Sequence, residues 1–157
     1  MKVEKGMQQM QASATAASVT LLNPAGLYDP SPYCYSHVAV VRGDCRTVYI
    51  SGQGGENEEG AIGLDFGTQV RQALHNLQTA LKAAGSSTAD VAKLTVLIVD
   101  HTEDKLSLFG TELKRAFGPG PKPACTLIPV PRLALDAMLV EVEAIAAVRA
   151  QQDALAV

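Results

Sequence analysis

The sequence predicts an α+β domain in which one mixed β-sheet is covered on one face by two helices. Three observations carry this. The segments 66–81 and 106–117 repeat apolar residues at helical spacing. Between them, Val-Ala-Lys-Leu-Thr-Val-Leu-Ile-Val within 90–100 is apolar on both faces, as a central strand is. The remaining apolar segments alternate with period two. The resulting order is strand, strand, helix, strand, helix, strand, strand. With both helices on one face, the other face needs cover, and symmetric self-association supplies it most simply.

A chain of 157 residues fits one domain. Residues 1–20, rich in Gln, Ala, Ser and Met, are expected as a mobile tail, 21–150 as the domain and 151–157 as a short second tail. Asn23 to Pro32 holds three prolines and a glycine, which predicts an irregular loop. A strand over about 33–41 follows, and Arg42-Gly43-Asp44 turns it toward a strand at 47–51, a β-hairpin. His37, a lone histidine on that strand, reads as structural, as do His75 and His101. Ser51 to Gly63 holds five glycines but lacks the G-x-x-x-x-G-K-S/T and G-x-G-x-x-G spacings that cradle phosphates. Its glycines let backbone approach a ligand, with the N–H groups near Gly52 as an anchor.

Asp65 is the predicted N-cap of the first helix, Phe66, Val70, Leu74, Leu77 and Leu81 its buried stripe, and Gly85 its stop. Gln69, Arg71, Gln72, Asn76 and Gln78 are assigned to its solvated face. The second helix starts at Thr102, buries Leu106, Phe109, Leu113 and Phe117, and ends at Gly118-Pro119-Gly120-Pro121. In the closing strand Glu141, Glu143 and Ile145 share one face, and Val140, Val142 and Ala144 the other. Two carboxylates so placed serve either acid–base chemistry or a solvated face, and spacing alone leaves both open.

Composition bounds the function. A net charge of −3, from 13 basic and 16 acidic residues without a basic cluster, disfavours nucleic acid as a partner. Hydrophobic content of 47% with 18% charged residues is rich for a small domain and points to partner subunits. The three cysteines, Cys34, Cys45 and Cys125, form no C-x-x-C pair and suit a reducing cytosol. Without a signal-like apolar stretch or 18 consecutive apolar residues, a soluble cytoplasmic protein with no membrane association is expected.

Ser31-Pro32-Tyr33 before the first strand, Ser51-Gly52-Gln53, the helix–strand–helix middle, and Pro123-Ala124-x-Thr126 leading to Val140-Glu-Val-Glu-Ala-Ile-Ala146 together resemble the RidA (reactive intermediate deaminase) family over about residues 30–148. The resemblance implies a chorismate-mutase-like fold, a homotrimer, and small-molecule sites in clefts between subunits. It also implies hydrolysis of enamines and imines derived from amino acids, such as 2-aminoacrylate, to the 2-keto acid and ammonia, without metal or organic cofactor. By the same resemblance Tyr33 lines the cleft, Ser51 and Gly52 present hydroxyl and backbone to the substrate beside Thr126, and Glu141 orients the attacking water.

One position departs from that pattern. Cys125 stands where archetypal members carry the arginine that clamps the substrate carboxylate, and a bidentate Arg–carboxylate pair is roughly twice as strong as a neutral hydrogen bond. Arg132 is read as a turn residue. Cys125 has three readings: a small packing residue, the wall of a pocket for a less anionic ligand, or a reactive catalytic thiolate, for which Lys122 is the one neighbouring cation and Glu141 an opposing charge. Two functions follow. One is a divergent family member hydrolysing an enamine, imine or related C–N bond with Glu141 and water. The alternative is a trimer that binds a small ligand without catalysis. Ribonuclease activity, attached to older names of the family, fits poorly with net negative charge and 4% aromatics.

Overall fold

The computed structural model describes residues 18–150. Most of the expected N-terminal tail and all of the C-terminal one lie outside these residues, but Val19–Leu22 form a strand, β1, where the sequence reading had the end of the tail and two residues with no assigned element. It pairs antiparallel with β2 (Val38–Val41), with Val19 opposite Val41. The main sheet is built from β3 (Cys45–Gln53), β4 (Val91–Val99), β5 (Ala124–Val130) and β6 (Val140–Arg149), in the order β3-β6-β4-β5. The β3–β6 and β6–β4 pairs are antiparallel and β4–β5 is parallel, so the sheet is mixed as expected.

The expected hairpin between β2 and β3 does not form: β2 pairs with β1, and β3 with β6. Ser36 supplies the physical reason. It is buried just before β2, where its N–H donates to Pro123 O (3.0 Å) and its hydroxyl to Lys122 O (2.7 Å). The N–H of His37 donates to Asn23 Oδ1 at 2.9 Å. These bonds hold the approach to β2 beside the start of β5, at the opposite edge of the sheet from β3. A turn signal at 42–44 specifies a change of direction but not which strand answers it.

Helices α1 (Phe66–Ala83) and α2 (Glu103–Phe117) form where the periodicity places them. Asp65 caps α1 by accepting from Thr68 N at 2.8 Å, and that hydrogen bonding holds its carboxyl below the ordinary carboxylate value. Gly85, at φ +65°, ends the helix in a Schellman turn: its N–H donates to Lys82 O at 3.0 Å and Ser86 N–H to Leu81 O at 2.9 Å. Thr102 caps α2 through Lys105 N at 3.2 Å. The helices cover the face formed by Leu94, Val96 and Ile98 of β4 and Val140, Val142 and Ala144 of β6, all buried. Leu77 of α1 is fully enclosed, and replacing such a residue by Ala costs about 2–5 kcal/mol. On the other face Tyr49 is 76% exposed, with Ile128 and Ile145 also open to solvent.

Gln69 differs from its expected solvated position: it is buried. Its Nε2 donates to Gly63 O and Ala137 O, and its Oε1 accepts from Leu139 N, each at 2.8 Å. A helical-face count treats every Gln alike, yet this one satisfies backbone groups of two loops.

Candidate functional site

Glu141 and Gly52 meet because of a β-bulge. In the β3–β6 register Ile50 faces Ala144 and the next pair is Gln53 with Val142, so Ser51 and Gly52 occupy the irregular step. Glu141 projects from β6 away from the helices, since its neighbours Val140 and Val142 face them. A Cβ built on Gly52 would fall 2.5 Å from Glu141 Cδ and 2.7 Å from Cγ, so glycine is what lets this carboxylate lie against the β3 backbone. Gln53 Nε2 donates to the carbonyls of Ser51 (3.0 Å) and Gly52 (3.3 Å), and Asn76 Nδ2 of α1 to those of Gly54 (3.1 Å) and Glu56 (2.7 Å). The Gly-rich segment is thus pinned to the helix. Ser51 is exposed beside it.

A second group gathers at the opposite edge. Cys125 of β5 is in register with Leu94 and packs against the helix-covered core. It borders a cavity of about 400 Å³ shared with Tyr28, Tyr33, Tyr35, Leu106 and Phe109. Burial pushes its thiol up to about 11, against the opposing pull of the Lys93 ammonium, so at neutral pH it is a protonated thiol. Thr126, which also lines the cavity, accepts a hydrogen bond from Lys93 Nζ. The cations weighed from sequence are engaged elsewhere. Lys122 Nζ donates to Gly118 O (2.8 Å) and Gly120 O (2.6 Å), and Arg132 pairs with Asp136 at 2.8 Å.

Tyr33 ends a short 3-10 turn, Ser31–Tyr33, entered through Pro30 and Pro32. Its ring meets Tyr28 edge-on, with centroids 6.3 Å apart. Tyr28 also contacts Tyr35 and His37, its hydroxyl is hydrogen-bonded to that of Tyr35, and its carbonyl is bonded by His37 Nε2 at 2.8 Å. Burial first, and the Tyr28 hydroxyl next, push the Tyr35 phenol up to about 12. Sequence reasoning missed Tyr28 and Tyr35 and set His37 aside. The available signal was three of the chain's four tyrosines within eight residues, 28–35.

The expected site residues therefore form two clusters: Glu141, Gly52 and Ser51 at one, Cys125, Thr126 and Tyr33 at the other. Cys125 is level with Ala144, three residues beyond Glu141 and two strands across, roughly 10 Å in each direction. Strand alternation also points the Cys125 and Glu141 side chains to opposite faces. Among the described residues no His, Cys, Asp or Glu group is gathered as metal ligands, and no helix is long and apolar enough to cross a membrane.

Comparison with known proteins adds four findings. The profile of the family described as Endoribonuclease L-PSP matches residues 30–148. The mouse (Mus musculus) protein named 2-iminobutanoate/2-iminopropanoate deaminase is 38% identical over 105 residues, 64% of this chain and 73% of its own. The RutC family protein YjgH of Escherichia coli (strain K12) is 32% identical over 115 residues, 73% of this chain and 86% of its own. Among solved structures, YyfB of Yersinia pestis, described as a protein of unknown function of the conserved Rid family, superimposes with a TM-score of 0.78 at 31% identity, covering 82% of this chain and 98% of that one. With the two-helix, mixed-sheet architecture, these matches establish that the chain belongs to the RidA family.

Proposed function

We propose that this protein hydrolyses the C–N bond of a small enamine or imine in clefts between the subunits of a homotrimer, with Glu141 orienting the attacking water. The observation that carries the reading is the Glu141 carboxylate lying against the Gly52 backbone, in the space a side chain at that position would take. In the proposed reaction the water oxygen bonds to the imine carbon while Glu141 takes its proton. Glu141 passes that proton to the nitrogen, giving a carbinolamine; the remaining hydroxyl proton then moves to the nitrogen as the C–N bond breaks, leaving a carbonyl compound and ammonia or an amine. A general base so placed contributes about 10² to 10⁴ in rate. Ser51 and the Gly52 backbone hold the substrate from one copy, and Tyr33, Thr126 and Cys125 line the cleft from its neighbour. The separation of Cys125 from Glu141, roughly 10 Å along and across the sheet with their side chains on opposite faces, supports this, because one chain does not bring them together. The mouse relative's name supports imine hydrolysis as the reaction class.

A neutral thiol cannot replace the two-pronged ionic grip of an arginine, so substrates whose recognition depends on a carboxylate clamp are disfavoured. The cavity beside Cys125, formed without Glu141, favours one second reading, a trimer that binds a small ligand and turns nothing over. Purified protein is to be mixed with freshly generated 2-aminoacrylate and a panel of imines with and without carboxylates, alongside an active family member. Acceleration lost in Glu141→Ala supports catalysis. No acceleration of any substrate by the parent, with ligand-induced stabilisation retained in both proteins, establishes the binding reading instead.

A further inference from the structure

We propose that the tyrosine-walled cavity beside Cys125 is a cage for a small organic cation, an alkylammonium or iminium group without a carboxylate. This rests on the proposed function and narrows its substrate class. Tyr28 stands nearly perpendicular to Tyr33 (83°, 6.3 Å) and steeply inclined to Tyr35 (68°, 6.4 Å), so three rings border one space from different directions. His37 packs behind them, 5.1 Å from Tyr28 and 5.4 Å from Tyr35. The negative face of an aromatic ring attracts a cation, and several rings set at angles are the arrangement that recognises substituted ammonium groups. The Tyr28 and Tyr35 hydroxyls are hydrogen-bonded to each other.

The charge inventory points the same way. Of the nine described residues that line the cavity, none is Asp, Glu, Lys, Arg or His. A carboxylate entering it would lose hydration and meet only the Lys93 ammonium, whose hydrogen bond is already taken by Thr126, whereas an organic cation sheds its weak hydration and meets the rings. Lys93, whose charge acts on Cys125, is absent from the lining and holds the Thr126 hydroxyl. Burial keeps the Cys125 thiol protonated, so it adds no anion either. The volume of about 400 Å³ suits a small molecule. In the hydrolysis proposed above, such a substrate is an iminium ion: water adds to its carbon, the C–N bond breaks, and the products are an uncharged carbonyl compound and an ammonium ion. The product carbonyl carries no charge for the rings to hold.

The test is binding of tetramethylammonium chloride to the full chain, with sodium chloride at equal ionic strength as control and sodium acetate as the anionic probe. Tyrosine ring proton shifts give the readout. Intrinsic fluorescence gives a second, because the chain has no tryptophan and three of its four tyrosines border the cavity. Saturable shifts with tetramethylammonium and none with acetate are expected. Tyr28→Leu should weaken tetramethylammonium at least tenfold, and Cys125→Arg should abolish it while creating saturable acetate binding. Should Tyr28→Leu fail to fold by circular dichroism, Tyr33→Leu, at an exposed ring on the turn, takes its place. Acetate saturating the parent, acetate binding lost in Lys93→Met, or tetramethylammonium binding absent or indifferent to ring removal overturns the cage. A cage that binds while no imine is turned over refutes the catalytic reading alone; turnover of carboxylate-bearing imines without probe binding refutes the cage alone.

Discussion

Replacing Gln69 by Ala tests whether the buried amide holds the two loops that deliver the site. Three hydrogen bonds of 2.8 Å disappear together, and the carbonyls of Gly63 and Ala137 and the N–H of Leu139 lose their side-chain partner. Each bond contributes about 1 kcal/mol net and leaves a larger cost where the orphaned group stays dry, so a loss of about 3–5 kcal/mol is expected. For a domain of this size the unfolding entropy near the midpoint is roughly 0.3 kcal/mol/K, which converts the loss to a fall in Tm of about 10–15 °C. Gln69→Met, which keeps most of the volume and none of the polarity, should recover only a small part. Differential scanning calorimetry at matched protein concentration reads both, the concentration being fixed because subunit association shifts Tm. A Gln69→Ala protein melting within about 2 °C of the parent would show that water or loop movement replaces the amide, and would refute the reasoning.

Gly52→Ala and Gly55→Ala should separate site from scaffold. The added methyl at Gly52 meets the outer atoms of the Glu141 side chain, which can swing aside, so folding should survive while imine hydrolysis falls about 100-fold from a displacement near 1 Å. At Gly55 the methyl meets the Gln69 Cα at 2.8 Å, which cannot swing, and a loss of about 1–3 kcal/mol by thermal melting is expected. Cys125 should make stability fall at alkaline pH: its folded value of about 11 lies above the ordinary 9.0, so the unfolded chain releases the proton first and stability drops as pH rises from 9 toward 11. Tyr35 acts in the same direction from 10 toward 12, so the Cys125 contribution is read between pH 9 and 10, where Cys125→Ala should flatten the dependence of Tm on pH.

Both helices and the central strand were legible because each is a local pattern: stripe, cap and stop in α1, and an apolar run with two buried faces in β4. Pairing was not. Ser36, a residue with no periodic signal, anchors the chain at the β5 edge and leaves β2 with a partner, β1, whose four residues are too short to stand out. Glu141 and Gly52 were both visible through family resemblance, but their contact depends on a bulge, and bulges leave no mark in alternation. Gln69 shows the limit of face-counting, since its amide serves carbonyls six and 68 residues away. The neutral thiol at Cys125 was open from sequence because its state depends on burial, and the cation it feels, Lys93, comes from the neighbouring strand, not from Lys122 three residues upstream.

The most direct test of a catalytic site shared between copies is complementation. Glu141→Gln and Tyr33→Leu, each expected to be impaired, are unfolded together in equal amounts, refolded, and assayed on the imine that the parent turns over best. If Glu141 of one copy works with Tyr33 of its neighbour, random assembly gives about a quarter of the interfaces two intact halves, and about a quarter of parental activity should return. Mixed oligomers, verified by native mass spectrometry, that remain as inactive as the separate variants would contradict the account.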